Sequence, residues 1–352
     1  MSNYKQQQDS KYIALTLSLL DTMPDFCMKF YDGKQQRLTP KTQWMYANRM
    51  NMFLHFLHDN VKYFEDKDIS EYTLADLKYI TTEDANNFVT YLNHKKPSKK
   101  ADTFNKKETS ANYIACISAY FTYFVKNRYL DINPFEAVEN IKKRKKDLIY
   151  LDEEEQNSLL GTIQSGEGLS KRQKLALDKN MLRELCICSL LLDTGIRVSE
   201  LVGIDIDDIN MNKNMIYINR KGAKEGHVYF SQDMKMLLEE YLEFREYYSP
   251  TDDERALFLA STAKNKGHRL SVRSVQLLVK KYAIAAKIPK ARQITPHKLR
   301  SSFAMDALKA TGNLALVQKM LGHDNISTTT IYAQAEDSDV IEYRIQRDKN
   351  DE

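Results

Sequence analysis

Apolar side chains recur at helical spacing in the N-terminal part of the chain, from Thr39 to about Asn127. Thr39 followed by Pro40 predicts a helix start, because threonine caps free amides and proline suits the first helical position. Similar start signals lie at residues 82–84 and 109–110, each ahead of an apolar stretch. We therefore predict a small helical bundle, with room for an additional helix before Thr39.

A second patterned region begins near Asp147 and mixes two periodicities. Acidic residues at 153–155 predict a helix start, since they complement the positive end of the helix dipole. Residues 216–218 and 227–230 are β-prone runs, and the glycine- and cation-rich segment between them is typical of a hairpin turn. The other helical patterns cover residues 182–192, 233–247, 271–286, 297–310 and 314–321. The expected fold is mainly α, with a small antiparallel sheet in this region.

The two regions are separated by a basic, helix-poor passage at residues 133–147. We interpret it as a linker between an N-terminal domain, 1–132, and a C-terminal domain, 148–352. Its cations could cross a DNA backbone, resemble a nuclear-localisation patch or simply keep a tether in solution. The candidate DNA contacts here are Lys142, Lys143, Arg144 and Lys145.

Within the bundle, residues 94–107 combine proline, serine and several lysines without periodicity, which predicts a loop between helices. Lys99 and Lys100 are candidate phosphate contacts. A solvated charge run that touches nothing is an equally good interpretation of this loop by itself.

The overall charge does not identify a partner. The 352 residues carry 52 Lys and Arg against 48 Asp and Glu, a formal charge of +4, which excludes a strongly basic histone-like class. Four cysteines in such a length indicate buried thiols in a reducing compartment. Cys186 and Cys188 have no accompanying Cys or His pair, so we expect no metal site there.

No signal-peptide pattern opens the chain, and no apolar run approaches the roughly 20 residues that span a bilayer. We therefore expect a cytoplasmic protein with no membrane partner.

Candidate chemistry is concentrated in the C-terminal region. Arg197 follows Gly195, which interrupts an apolar helix, while His297 and Arg300 are three residues apart and share a helix face. Two planar guanidinium groups suit a phosphodiester whose negative charge rises during attack. Each residue alone has an ordinary interpretation, such as a structural ion pair for the arginine or a helix cap for the histidine.

Two further signals complete the set. Lys221 and Lys224 lie in the predicted hairpin turn, and His323 precedes Tyr332 by nine residues. Transfer of a phosphate to a tyrosine needs a proton donor for the departing oxygen and help for the phenol to lose its proton. Lys221 and His297 suit these tasks. A lysine in a turn is usually only solvated, and Tyr332 is one of 21 tyrosines, so the joint order carries the signal.

The motifs TGIRVSEL (194–201), NRKGAKEG (219–226), TPHKLR (295–300) and LGHDNISTTTIY (321–332) resemble those of the tyrosine recombinase and phage-type integrase family, especially the Xer-like bacterial recombinases. The resemblance extends over most of the chain. It implies a SAM-like core-binding domain at the N-terminus and a catalytic domain with the fold of the DNA breaking-rejoining enzymes.

The resemblance also implies a role for each motif residue. Arg197 and Arg300 would bind the scissile phosphate, and His323 would contact it. Lys221 would act as general acid, and it is chosen over Lys224 because it aligns with the lysine-glycine turn of the family. His297 would assist proton transfer. Tyr332 would be the nucleophile. Glu200 would support the site from behind, unless it is an ordinary surface carboxylate. Ser301 departs from the family, in which many relatives have histidine after the second arginine.

The implied activity is site-specific DNA cleavage and rejoining through a 3′-phosphotyrosyl intermediate, without ATP, metal or other cofactor. The implied partners are a double-stranded recombination site and three further copies of the chain, forming a tetramer on two sites, with an accessory protein left open. A nucleoid-associated protein in chromosome-dimer resolution, or in mobile-element integration and excision, fits this activity. The alternatives are relaxation of supercoils by a type IB topoisomerase-like enzyme and a catalytically silent DNA-binding protein.

Overall fold

The computed structural model describes residues 3–94, 107–138, 148–219, 225–251, 254–262 and 265–322. The chain divides into two compact units between residues 145 and 146. The domain limits inferred from the sequence, 1–132 and 148–352 with a linker at 133–147, stay predictions, and residues 139–147 lie outside the described part. Among the described helices, none is both long enough and apolar enough to cross a membrane.

The N-terminal unit is a helical bundle. Its α-helices are α1 (Asn3–Leu20), α2 (Asp25–Lys34), α3 (Pro40–Asn60), α4 (Thr82–His94) and α5 (Lys107–Lys126). The predicted helix start at Thr39 is confirmed, because the Thr39 side chain accepts a hydrogen bond from the Thr42 amide. Two helices precede Thr39, where the sequence allowed for one. Aromatic rings fill the core. The rings of Phe53 and Phe88 pack edge to face, with 4.8 Å between their centroids.

The C-terminal unit combines helices with the predicted small sheet. Its α-helices are α6 (Glu153–Ser165), α7 (Lys171–Leu177), α8 (Met181–Thr194), α9 (Val198–Leu201), α10 (Gln232–Arg245), α11 (Val272–Ala285), α12 (Pro296–Thr311) and α13 (Leu314–Leu321). The strands are β1 (Ile209–Asn210), β2 (Met215–Asn219) and β3 (Glu225–Tyr229), antiparallel in the order β1-β2-β3. Tyr217 pairs with His227, which confirms the strands of the predicted hairpin. Residues 220–224, between them, are outside the described part.

Helix α8 is the centre of this unit. It is apolar on nearly all sides, a pattern typical of a buried helix, and it packs against α6, α10 and α12. Cys186 and Cys188 are completely buried within it, and burial raises the pKa of the Cys186 thiol. In the described residues no cluster of His, Cys, Asp or Glu is suited to a metal ion.

The end of α8 depends on glycine. Gly195 adopts the left-handed conformation with φ 61°, and a β-carbon there would lie 2.3 Å from the Phe303 ring of α12. A methyl group would therefore add a clash to the conformational penalty of a left-handed residue.

We expect Gly195→Ala to lower the free energy of unfolding by about 3 kcal/mol or more, since the left-handed region alone costs a non-glycine residue about 1–2 kcal/mol. Gly312→Ala is the matched control, because Gly312 has φ 60° and, in the described part of the chain, no atom beyond its immediate chain neighbours lies within 4 Å of the place that its methyl group would take. It should show only the conformational cost. Urea unfolding measures both, and equal losses would contradict the proposed clash.

Candidate active site

Glu200 holds Arg197 at the start of α9. The Arg197 backbone amide donates to Glu200 Oε2 at 2.9 Å, and Arg197 Nη1 donates to Glu200 Oε1 at 2.8 Å. The Glu200 carboxylate is buried, whereas about a third of the Arg197 side chain, 35%, is exposed. The buried Glu200 carboxylate thus orients both the backbone and the guanidinium of Arg197. Part of the Arg197 side chain remains exposed to solvent.

Arg300 is the buried counterpart on α12, with only 3% of the residue exposed. Its Nη1 donates to the Gly195 carbonyl at 2.7 Å, and its Nη2 donates to the Leu321 carbonyl at 2.6 Å. The side chain therefore joins the turn that follows α8 to the last residue of α13. Charged donors make such bonds short and strong, so Arg300 has little freedom to move.

The two arginines meet at the end of α13. Arg197 Nη2 lies 3.5 Å from the Gly322 carbonyl, and Arg300 contacts the carbonyl of the preceding residue, Leu321. Gly322 ends the helix in the left-handed conformation, directly before His323. Residues 195–200, 300 and 321–322 are thereby brought together from three distant parts of the sequence.

His297 lies one turn before Arg300 on α12, as its spacing predicted, and remains exposed. Partial desolvation, together with the positive charges of Lys298, Arg300 and Arg197, lowers the pKa of the imidazole below its usual 6.5. The neutral form therefore predominates at neutral pH, which suits a group that accepts a proton.

If His297 accepts the proton of the Tyr332 phenol, as the family resemblance implies, the single-turnover rate of the implied DNA cleavage should be flat from pH 8 down to about 6.5 and should fall at lower pH, where the imidazole becomes charged. Because its pKa is lowered, the fall should begin below the pKa of an ordinary histidine. Cleavage measured on a nicked duplex across this range tests the expectation, and His297→Gln should be slower and lack the acid limb. An unchanged limb in His297→Gln would assign the titration to another group.

Glu200 offers a direct test of how the site is held. Glu200→Gln keeps an acceptor but removes the charge that balances Arg197, so we expect a cleavage rate about 10-fold lower, in line with the loss of one charge-assisted hydrogen bond. The matched control is Glu239→Gln, since the Glu239 carboxylate is half-exposed and pairs with Lys235 on α10 at 3.9 Å. Equal rates for the two variants would show that the charge of the buried Glu200 carboxylate does not support the reaction.

The structure adds residues that sequence reasoning missed. Asp193, the next-to-last residue of α8, accepts a hydrogen bond from the Ser231 amide at 2.9 Å and so anchors the chain just after β3. A lone aspartate carries no sequence signal of such a role.

Ser301 occupies the position at which this chain departs from the family. It is almost completely buried, and its hydroxyl donates to the His297 carbonyl at 3.1 Å.

The remaining predicted site residues lie outside the described part of the chain. They are Lys99, Lys100, Lys142, Lys143, Arg144, Lys145, Lys221, Lys224, His323 and Tyr332. Their roles stay predictions.

Comparison with known proteins identifies the family of the chain. Residues 149–339 match the model of the phage integrase family. The tyrosine recombinase XerS of Lactococcus lactis subsp. cremoris is 29% identical over 335 residues, covering 89% of this chain and 92% of that protein. The tyrosine recombinase XerC of Caldanaerobacter subterraneus subsp. tengcongensis is 31% identical over 314 residues, covering 86% and 80%.

The fold is also similar to that of a solved recombinase. A crystal structure of the XerH site-specific recombinase bound to palindromic difH substrate, a post-cleavage complex, superposes with a TM-score of 0.63 at 22% identity, covering 85% of this chain and 78% of that one. The family model, the sequence relatives and the fold all indicate the same family. The chain belongs to the phage integrase family and is an Xer-like tyrosine recombinase.

Proposed function

We propose that this chain cleaves and rejoins double-stranded DNA at specific sites, with Tyr332 as nucleophile. The phenolate attacks the scissile phosphorus, a 3′-phosphotyrosyl bond forms, and the 5′ oxygen leaves as a hydroxyl. The 5′ hydroxyl of a partner strand then attacks the same phosphorus and releases Tyr332. Each step exchanges one phosphodiester bond for another, so the reaction consumes no ATP.

The observation that carries this proposal is the convergence of Arg197 and Arg300 on the end of α13. Arg300 bonds to the Leu321 carbonyl and Arg197 Nη2 lies 3.5 Å from the Gly322 carbonyl, at the first two residues of the motif that contains His323 and Tyr332. Paired arginines fixed in this way offer preorganised positive charge to a phosphate whose charge rises in the transition state. Arg300 supplies the rigid partner and Arg197 the more accessible one.

Proton transfer completes the proposed chemistry. His297, neutral at physiological pH because its pKa is lowered, accepts the phenolic proton. Lys221, in the segment between β2 and β3, donates a proton to the departing 5′ oxygen. His323 adds a hydrogen bond to the phosphate. These assignments extend the family resemblance to residues at the matching positions.

We further propose that four copies of the chain assemble on two DNA sites and exchange strands through a Holliday junction. XerH, a structural neighbour, is described in complex with a palindromic substrate, and such DNA symmetry matches binding by symmetric protein copies. The N-terminal domain (1–132), the linker (133–147) and the catalytic domain (148–352) would each contact the duplex. Phosphate contacts would come from Lys99, Lys100, Lys142, Lys143, Arg144, Lys145 and Lys224. The corresponding location in the cell is the cytoplasm, in association with the nucleoid.

Two assays test the function together. DNA fragments that the purified chain captures from genomic DNA identify a binding site, and a supercoiled plasmid carrying two copies of that site is the substrate. We expect deletion or inversion products that depend on both copies. Relaxed plasmid without exchange between the sites would instead support topoisomerase-like activity, and binding without either product would support a silent DNA-binding protein.

A further inference from the structure

Residues 148–152, the strap, lie against α12 at the start of the C-terminal unit. Leu148 and Tyr150 pack on a small apolar cluster formed by α12 and α13, which includes Met305 and Leu308. Leu151 is completely buried, and its backbone amide donates to Ser302 Oγ of α12 at 2.8 Å. The strap is thus attached to α12 by both apolar packing and a buried hydrogen bond.

A second tie runs through Gln156 of α6. Its Nε2 donates to the Leu151 carbonyl at 3.0 Å and to Asp306 Oδ2 on α12 at 2.9 Å. Lys309 lies 5.7 Å from the centroid of the Tyr150 ring. Because Ser302, Asp306 and Lys309 are spaced by four and three residues, these contacts lie along one face of α12.

The strap contacts the side of α12 that faces away from the site residues. At 3.6 residues per turn, Ser302 is rotated by roughly 140° from His297 and roughly 160° from Arg300 about the helix axis. Helix α12 therefore carries its candidate catalytic groups on one side and is fastened to the strap on the other. A displacement at the strap would tilt or rotate the side chains opposite.

The Ser302 hydroxyl connects the strap to the first turn of α12. In the described structure, the N-cap residue Thr295 makes no side-chain capping hydrogen bond. Ser302 is completely buried, and its hydroxyl both accepts from the Leu151 amide and donates to the Lys298 carbonyl at 3.0 Å. One hydroxyl therefore connects the strap with the turn that contains His297.

We propose that Ser302 is a positioning residue of the active site, which sets the placement of His297 and Arg300 by joining the strap to the back of α12. This inference rests on the proposed function, since it concerns the same phosphate site. Without the hydroxyl, the buried Leu151 amide loses its acceptor and the strap must move to satisfy it. Catalytic groups that shift by a fraction of an ångström lose much of their effect on rate.

The test is single-turnover formation of the covalent DNA adduct on a nicked duplex at saturating DNA, well below the melting temperature. Ser302→Ala should lower the rate constant about tenfold, with an unchanged Kd for DNA and an unchanged final yield of adduct. A purely structural role would instead lower the yield, because fewer molecules would be folded. Ser302→Thr keeps the hydroxyl and should restore most of the rate.

Thr311→Ala is the matched control. Thr311 Oγ1 donates to the Ala307 carbonyl on the same helix at 2.6 Å and accepts from the Asn313 amide at 3.3 Å. The residue is exposed and neither bond involves the strap, so loss of the hydroxyl should leave the rate unchanged. If Ser302→Ala does not fold, Gln156→Ala removes the second tie between the strap and α12 without substituting a residue of α12, and it should also slow adduct formation. Equal rates in Ser302→Ala and the parent, or no rescue by threonine, would overturn the inference. A parent protein that forms no adduct would overturn the proposed function itself.

Discussion

Tyr332→Phe should eliminate covalent adduct formation and recombination, with a loss on the order of 10³-fold or more, while DNA binding is retained. Phenylalanine lacks the oxygen that attacks phosphorus, and removal of a covalent nucleophile has among the largest effects of any substitution in an enzyme. Arg197 and Arg300, the proposed phosphate ligands, are unchanged. Adduct trapping on a nicked duplex and a filter-binding titration, made on the same preparation, measure the two properties separately.

Tyr247→Phe provides the control for this substitution. Tyr247 belongs to the same unit, is 53% exposed, and stacks on Phe244 near the end of α10, so loss of its hydroxyl should change neither cleavage nor binding. Persistent adduct formation by Tyr332→Phe would refute the assigned nucleophile. Loss of both adduct and binding would indicate that Tyr332 has a structural role instead.

Arg300→Lys should reduce both stability and cleavage, although it conserves the positive charge. A lysine ammonium cannot reproduce the planar fork that joins the Gly195 and Leu321 carbonyls. We expect the free energy of unfolding to fall by about 2–4 kcal/mol, because two charge-assisted bonds are lost in a buried place. The cleavage rate should fall by about 10²–10³-fold, as when a preorganised donor to the transition state is removed. Urea unfolding and single-turnover cleavage measure the two effects.

Arg197→Lys separates these effects. Because the Arg197 side chain is about one-third exposed and bonds chiefly to Glu200 on its own helix, its replacement should cost no more than about 1 kcal/mol of stability. Its cleavage rate should nevertheless fall strongly, since one of the two guanidinium groups proposed to bind the scissile phosphate is lost. For Arg300, unfolding of Arg300→Lys at the same urea concentration as the parent would contradict the proposal that Arg300 stabilises the fold by joining the Gly195 and Leu321 carbonyls.

Local chemistry along the chain was sufficient to predict most of the described helices and the strands of the hairpin. Helix caps and apolar periodicity involve residues within a few positions of each other, so Thr39 and the acidic segment 153–155 indicated helix starts directly. Helix α1 was harder to predict, because Ile13 and Leu17 on it are exposed and weaken the amphipathic signal. Strand β1, with two residues, is too short for any alternation to show.

The amino-acid sequence therefore determined which chemical groups this protein has available and which helices carry them. Only the tertiary structure decided that Arg300 meets the carbonyl of Gly195, 105 residues away, and that Ser302 receives the amide of Leu151, 151 residues away. In each case one partner is a backbone group, the Gly195 carbonyl or the Leu151 amide. Every residue other than proline carries the same backbone donor and acceptor. No side-chain pattern can single out one of them, so packing of α8, α12 and α13 selects the partners.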